Sequence, residues 1–265
     1  MKNLIINALP GDFPWQNQIH WFDCLDSTNT RAKQLAVSGA PHGTVLIADS
    51  QTGGRGRQGR RFLSPGGMGI YMSVLLRPQC APDQLMHLTC GAAVAICDAV
   101  ERTAGFRPGI KWTNDLVANG KKLAGILTEL GLASTGKVSY AVVGIGINCC
   151  QQPEDFPPEI QNIAASLSMI TGHTVPRERL AAAMVEALYN MDRQLLTGKA
   201  QMMDQYRKDC ITVGREISLV RGDELRHGKA VGIDDAGALL VEFAPGRVEP
   251  VNSGEVSIRG LYGYV

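Results

Sequence analysis

Residues 53–69 constrain this chain more than any other segment, because seventeen positions hold seven glycines and four arginines. Glycine-rich backbone loses much entropy on ordering and offers few side chains to pack, so neither a helix nor a strand is expected there. The flanks differ. Residues 44–49 (TVLIAD) have the apolar, β-branched character of a buried strand, and Ile70, Met72, Val74 and Leu76 alternate as another. The glycine-arginine stretch is therefore a loop carried between two strands. Within it, Arg55, Arg57, Arg60 and Arg61 crowd eight residues, and no acidic residue occurs between Asp49 and Asp83. Such self-repulsion favours an anion: glycines let backbone N–H groups come close, and guanidinium forks give charge-assisted hydrogen bonds of roughly 1.5–3 kcal/mol each. On this segment alone, a solvated basic loop stays open as the bland alternative.

Elsewhere helix and strand signals alternate. Ala32, Leu35 and Ala36 follow the Asp26-Ser27 capping signal and stop at Gly39, which predicts a helix over 28–38. Pro82 is expected to open a second helix with Leu85, Leu88, Ala92, Ile96 and Val100 on one stripe, closed near Gly105. Strands are predicted at 109–112, 122–130 and 138–147, with Asn119-Gly120 turning between the first two. After a proline-rich loop at 151–158, Leu180, Met184, Ala187, Leu188 and Met191 mark a further long helix. Beyond Cys210 the rhythm becomes that of a small β-barrel, with strands at 216–220, 229–233, 239–243, 247–251 and 256–258 and turn chemistry at 234–237 and Pro245-Gly246. Domains usually run about 100–200 residues, so one large domain, 1–210, and a small one, 211–265, are expected.

Composition removes several function classes. The chain is 45% hydrophobic and 19% charged with a formal net charge of +1, which does not ask for nucleic acid. No apolar run reaches the ~18 residues of a spanning helix, and the N-terminal apolar stretch is too short for a secretory signal, so a cytoplasmic location and no membrane partner are expected. The seven cysteines form no CxxC and read as small buried hydrophobes, and the five histidines show no metal-ligand spacing. Gly54, Gly56 and Gly59 spell GxGxxG, but a dinucleotide fingerprint must open a helix, which Ser64-Pro65-Gly66-Gly67 prevents. No glycine-rich stretch ends in GKS or GKT, so a P-loop is excluded. Nucleic-acid binding would need a second basic patch or a reading motif, and neither is visible.

Two other segments carry chemistry. Lys111-Trp112-Thr113-Asn114-Asp115 and 122–127 (KLAGIL) put cations at strand ends; beside the arginine loop, Lys111 and Lys122 would add charge to one pocket, although a strand-end lysine is more often a solvated edge charge. Residues 143–148 (VGIGIN) end a strand in small residues, which suits either ligand approach or close packing.

Taken in order, these segments resemble the biotin protein ligase family. Residues 26–29 are similar to its DSTN segment, 51–60 to Q-x-x-GRGRxGR, 64–66 to SPxG, 111–115 to KWPND, 122–127 to KLAGIL, 144–148 to GxGIN and 254–259 to GEISLR. Any one motif arises by chance; seven in order are specific. Thr113 departs from the usual proline, which is expected to loosen that loop. Gln58 and Phe62 replace a basic residue and a tryptophan common in parts of the family, and are expected to tune affinity.

The resemblance implies an α+β fold: a mixed sheet with helices related to class II tRNA synthetases, plus a C-terminal SH3-like β-barrel. It implies that biotin is activated by ATP to biotinyl-5'-AMP with release of pyrophosphate, then passed to a lysine of a biotin carboxyl carrier protein. By motif correspondence Ser27, Thr28, Asn29 and Gln51 hold the ureido ring, while Arg55, Gly56 and Arg57 line the biotin and its adenylate. Lys122 binds the carboxylate, and Arg57, Arg60 and Asn148 face the nucleotide. Lys111, Lys122 and Arg57 are the catalytic candidates, with Mg²⁺ on the phosphates and Asp115 as its candidate ligand or as an aid to amine deprotonation. Two alternatives remain: a lipoate protein ligase, with related fold and chemistry, and a biotin-sensing repressor. With about 25 residues before the first expected helix, a winged-helix module has no room, so a ligase without specific DNA binding is expected. The resemblance leaves a homodimer open.

Overall fold

Every residue of 44–48 and 69–76 is buried, so these strands need cover on both faces. The computed structural model describes residues 1–252 and the backbone of 257–260. Along the chain lie α1 (Lys2–Ala8), β1 (Ile19–Leu25), α2 (Thr28–Val37), β2 (Thr44–Gln51), β3 (Gly69–Leu76), α3 (Leu88–Ala104), β4 (Gly109–Lys111), β5 (Asp115–Ala118), β6 (Lys121–Leu132), β7 (Val138–Asn148), α4 (Leu167–Thr171), α5 (Arg177–Gln194) and α6 (Lys199–Asp209). The sheet runs β1-β2-β3-β7-β6-β5-β4, parallel between β1 and β2 and antiparallel elsewhere. Val45, Ile47, Met72, Val74 and Val143 face a core shared with α1, α3, α5 and α6. Their neighbours Leu46, Leu75 and Val142 face the other way, onto Ala32 and Ala36 of α2. Because α2 packs on β2, β3 and β7, the part of that face over β6 and β5 is left for the arginine loop.

The mixed α+β sheet agrees with expectation, and the structure corrects several details. The helix expected from Pro82 is two pieces: a 3₁₀ turn, Pro82–Leu85, then α3, closed by Gly105 in a left-handed conformation. The break falls at buried His87, which has ψ 0° and donates from Nε2 to Leu195 O at 2.7 Å. The Asn119-Gly120 turn joins β5 to β6, not β4 to β6, since β5 intervenes. The first helix is α1 and not α2, and β1, α4 and α6 had no expected counterpart. Cys24 is exposed rather than buried.

After α6 come β8 (Glu216–Arg221), β9 (Glu224–Ile233), β10 (Leu239–Ala244), β11 (Arg247–Val251) and β12 (Ser257–Gly260). They pair antiparallel in the order β11-β10-β9-β8-β12. Part of the motif at 254–259 lies outside the described residues. This sheet is anchored beside the 111–115 segment: the Trp112 backbone N–H donates to Thr212 Oγ1 and its indole N–H to Gly237 O, both at 2.9 Å. No helix among the described residues is long and apolar enough to cross a membrane.

Candidate active site

The cap signal at the start of α2 fixes the first wall. Ser27 is the N-cap and accepts from the Thr30 N–H, which buries Ser27, Thr28 and Asn29 side by side at 3–4% exposure. Gln51, at the end of β2, accepts through Oε1 from the Thr28 N–H at 2.8 Å and the Thr28 hydroxyl at 3.1 Å, and donates from Nε2 to Ser64 Oγ at 2.9 Å. Asn29 donates both amide protons, to Leu127 O at 3.1 Å and Glu129 Oε2 at 2.9 Å, so only its oxygen remains to accept from a ligand. Ser73 of β3, fully buried, lies 2.8 Å from Thr28 Oγ1 and 2.7 Å from Asn29 Oδ1. These bonds pre-orient residues that sequence motifs select, two of them, Thr28 and Asn29, through a serine that the motifs do not.

The arginine loop is a small hairpin. Gly56 N–H donates to Arg60 O at 2.7 Å, Phe62 N–H to Gly54 O at 3.0 Å, and Arg55 pairs with Arg61 in an antiparallel bridge. Gln58 and Gly59, at φ 55° and 72°, make its tip. Gly54 has no room for a side chain: a Cβ there would lie 2.7 Å from Ser64 Oγ and closer still to Phe62 O. The hairpin places Arg57 over the sheet, where Nη1 donates to Asn114 Oδ1 at 3.0 Å. Burial lowers the Arg57 pKa, the charge of Asp115 raises it and that of Arg60 lowers it, leaving a cation partly stripped of water.

Across from it, Lys122 Nζ meets Asp115 Oδ1 at 2.6 Å. Gly125 lets Lys122 lie flat over β6, since a Cβ there would approach Nζ to 3.2 Å. Two pockets join at this point. The first is lined by Ser27, Thr28, Asn29, Gln51, Arg55 and Gly56 on one side and by 125–127 and 144–146 on the other. The second adds Lys111, Asn148 and an apolar wall of Trp112, Phe156, Ile160 and Ile163. Arg57, Arg60, Asn114, Asp115 and Lys122 line both.

All the sequence-selected residues therefore converge, with differences of character. Lys111 is 8% exposed and not a solvated edge charge. Asn148 is turned to the protein, donating to Ala165 O at 3.0 Å and accepting from Gln151 Nε2 at 3.2 Å. Asp115 already holds an ammonium group, and the described residues contain no cluster of three metal-ligating side chains, so the donor set does not fit a resident metal. Ser73 and Glu129 escaped sequence reasoning, and Asn114 was given no role although its segment, 111–115, was singled out; for Ser73 the hint was a lone polar residue inside the apolar run 70–76.

The fold and pocket can be set beside known proteins. The Biotin/lipoate A/B protein ligase family profile matches residues 21–148, and the Biotin protein ligase C terminal domain profile matches 212–259. The Bacillus subtilis bifunctional ligase/repressor BirA is 37% identical over 239 residues, covering 90% of this chain and 73% of that protein. The Paracoccus denitrificans biotin--[acetyl-CoA-carboxylase] ligase is 34% identical, covering 89% and 98%. The chain belongs to the biotin protein ligase family. The Aquifex aeolicus biotin protein ligase in complex with biotin and ATP superposes with a TM-score of 0.77 at 30% identity, over 91% of this chain and 98% of that one.

As a biotin protein ligase, the chain carries Thr113 in an unexpected setting. Thr113 is 4% exposed and its carbonyl accepts from the Tyr206 hydroxyl at 3.0 Å, so the residue in the usual proline's place is packed against α6. The small residues of 144–146 also acquire a reason. A Cβ on Gly146 would come within 2.5–2.8 Å of three Phe62 ring atoms, so Gly146→Ala is expected to push that ring into the first pocket. Biotin binding measured by calorimetry should weaken roughly tenfold while stability falls by about 1 kcal/mol or less.

Proposed function

We propose that the chain is an ATP-dependent biotin protein ligase, forming biotinyl-5'-AMP and transferring biotin to a lysine of a biotin carboxyl carrier protein. The observation that carries this reading is the junction: a pocket of oriented hydrogen-bonding groups and a pocket with an apolar wall meet where Arg57, Arg60 and Lys122 converge. Two anions, the biotin carboxylate and the ATP α-phosphate, must be brought together before they react, and such cations offset their repulsion.

In this reading the Ser27 hydroxyl, Thr28, the Asn29 oxygen and Gln51 surround the ureido ring, and Arg55 and Gly56 flank the bicycle. Lys122 receives the carboxylate and Arg57 the α-phosphate, with Arg60, Lys111 and Asn148 on the nucleotide side. Attack of the carboxylate oxygen on the α-phosphorus forms the mixed anhydride and expels pyrophosphate. The acceptor lysine amine then attacks the biotinyl carbonyl and releases AMP. Mg²⁺ enters with ATP as part of the substrate. In this reading Asp115, 2.6 Å from Lys122 Nζ, orients Lys122 and, in the second step, accepts a proton from the incoming amine.

We draw the boundary between the catalytic domain, 1–210, and the C-terminal domain at residue 211, and place the enzyme in the cytoplasm, where ATP and unmodified carboxylase subunits meet. In this reading the chain acts as a ligase and binds no specific operator. The deciding measurement is pyrophosphate release with ATP and either biotin or lipoate. Release with biotin is expected; release with lipoate alone overturns the reading, and a gel shift with specific operator DNA overturns the exclusion of a repressor role.

A further inference from the structure

Glu129 takes no part in the chemistry above, yet three donors from two other stretches of chain converge on it. Its Oε1 accepts from Lys33 Nζ at 2.7 Å and Arg55 Nη1 at 3.2 Å, and its Oε2 from Asn29 Nδ2 at 2.9 Å. The side chain is 20% exposed. Burial resists its ionisation, but hydrogen bonds from Lys33 and Asn29 and the charge of Arg55 outweigh that, holding its pKa below the usual value. The carboxylate thus links α2, the arginine hairpin and β6.

We propose that Glu129 is a positioning residue for biotin, fixing the Asn29 amide in the orientation whose oxygen accepts from Ser73 and pinning the hairpin through Arg55. The inference rests on reading this pocket as the biotin site. Its logic is donor arithmetic. Asn29 has acceptors, Leu127 O and Glu129 Oε2, for both amide protons, and its oxygen faces Ser73; the amide has one satisfied orientation. A glutamine at 129 has a single acceptor oxygen for three donors, and its own NH₂ then meets Asn29 Nδ2, Lys33 or Arg55. Lys33 and Arg55 also lose the anion between them, which drives Arg55 and its hairpin outward.

Glu129→Gln is expected to raise the biotin concentration for half-maximal pyrophosphate release roughly tenfold with kcat within about twofold, because the interaction lost is made before the chemical step. In the absence of biotin it should speed tryptic cleavage after Arg55 and Arg57 by about fivefold or more, through hairpin opening. Glu129→Asp should recover part of both. Lys33→Met leaves Asn29 and Arg55 their acceptor and should change either readout less than about twofold. An unchanged tryptic rate, a loss confined to kcat, or a Lys33→Met variant matching Glu129→Gln overturns the inference. A wild type that ignores biotin instead refutes the functional reading, and the tryptic rate still decides whether Glu129 clamps the hairpin.

Discussion

Lys122→Ala is expected to lower biotin-dependent pyrophosphate release by about two orders of magnitude in kcat/KM, the scale seen when one pre-organised donor to developing charge is removed. Two effects add. The ammonium that would meet the biotin carboxylate is gone, and Asp115, held 2.6 Å from Nζ in the wild type, loses that counter-charge while facing an anionic substrate. Asp115 is only 18% exposed, so water screens it poorly. The second effect can be isolated. Lys122→Ala with Asp115→Asn should recover roughly tenfold over Lys122→Ala alone, because like-charge repulsion is relieved while the missing cation stays missing. Biotinamide, which lacks the negative charge, should bind wild type and Lys122→Ala about equally. Full activity of Lys122→Ala, or equal weakening toward biotin and biotinamide, would remove Lys122 from the carboxylate.

Legibility of this site in the sequence followed the range of the interactions. The start of α2 was readable because a cap signal is local, while Ser27, Thr28 and Asn29 were selected only by their resemblance to the family's DSTN segment; the arginine loop was readable because glycine and arginine density is itself local. The strands flanking it were readable from the apolar, β-branched run 44–49 and from the alternation of Ile70, Met72, Val74 and Leu76. β5 was not, since four residues between Asn114 and Asn119 are too few to establish a period, and the turn was assigned to the wrong pair of strands. The break before α3 was hidden for another reason: Leu85 and Leu88 continue one apolar stripe, and His87, at the break, bonds to Leu195, 108 residues away. Ser73 and Glu129 belong to the same class. Ser73 meets partners 44 and 45 residues distant, and Glu129 reaches Asn29 across 100, so nothing in their own neighbourhoods marks them. The family motifs supplied the first wall of the site, and the contacts that make it rigid came only with the fold.

Arg57→Gly is expected to speed escape of biotinyl-adenylate roughly a hundredfold, about the loss of two charge-assisted hydrogen bonds to a phosphate. Arg57 is suited to that grip. Burial lowers its pKa, so the guanidinium is already partly dehydrated before ligand arrives, and its Nη1 contact with Asn114 holds the fork over the junction of the two pockets. A pre-positioned cation in a low-dielectric setting gains more from an anion than a solvated one does. Arg57→Lys keeps the charge but loses the bidentate geometry and the Asn114 contact, and should fall between glycine and wild type. The measurement is the dissociation rate of labelled biotinyl-adenylate in rapid gel filtration, run beside pyrophosphate release. Because the adenylate forms from a carboxylate held by Lys122, Arg57→Gly should still release pyrophosphate with biotin while the intermediate leaks into solution. Slow dissociation matching wild type would show that the phosphate is gripped elsewhere, with Arg60 and Lys111 the remaining cations on the nucleotide side.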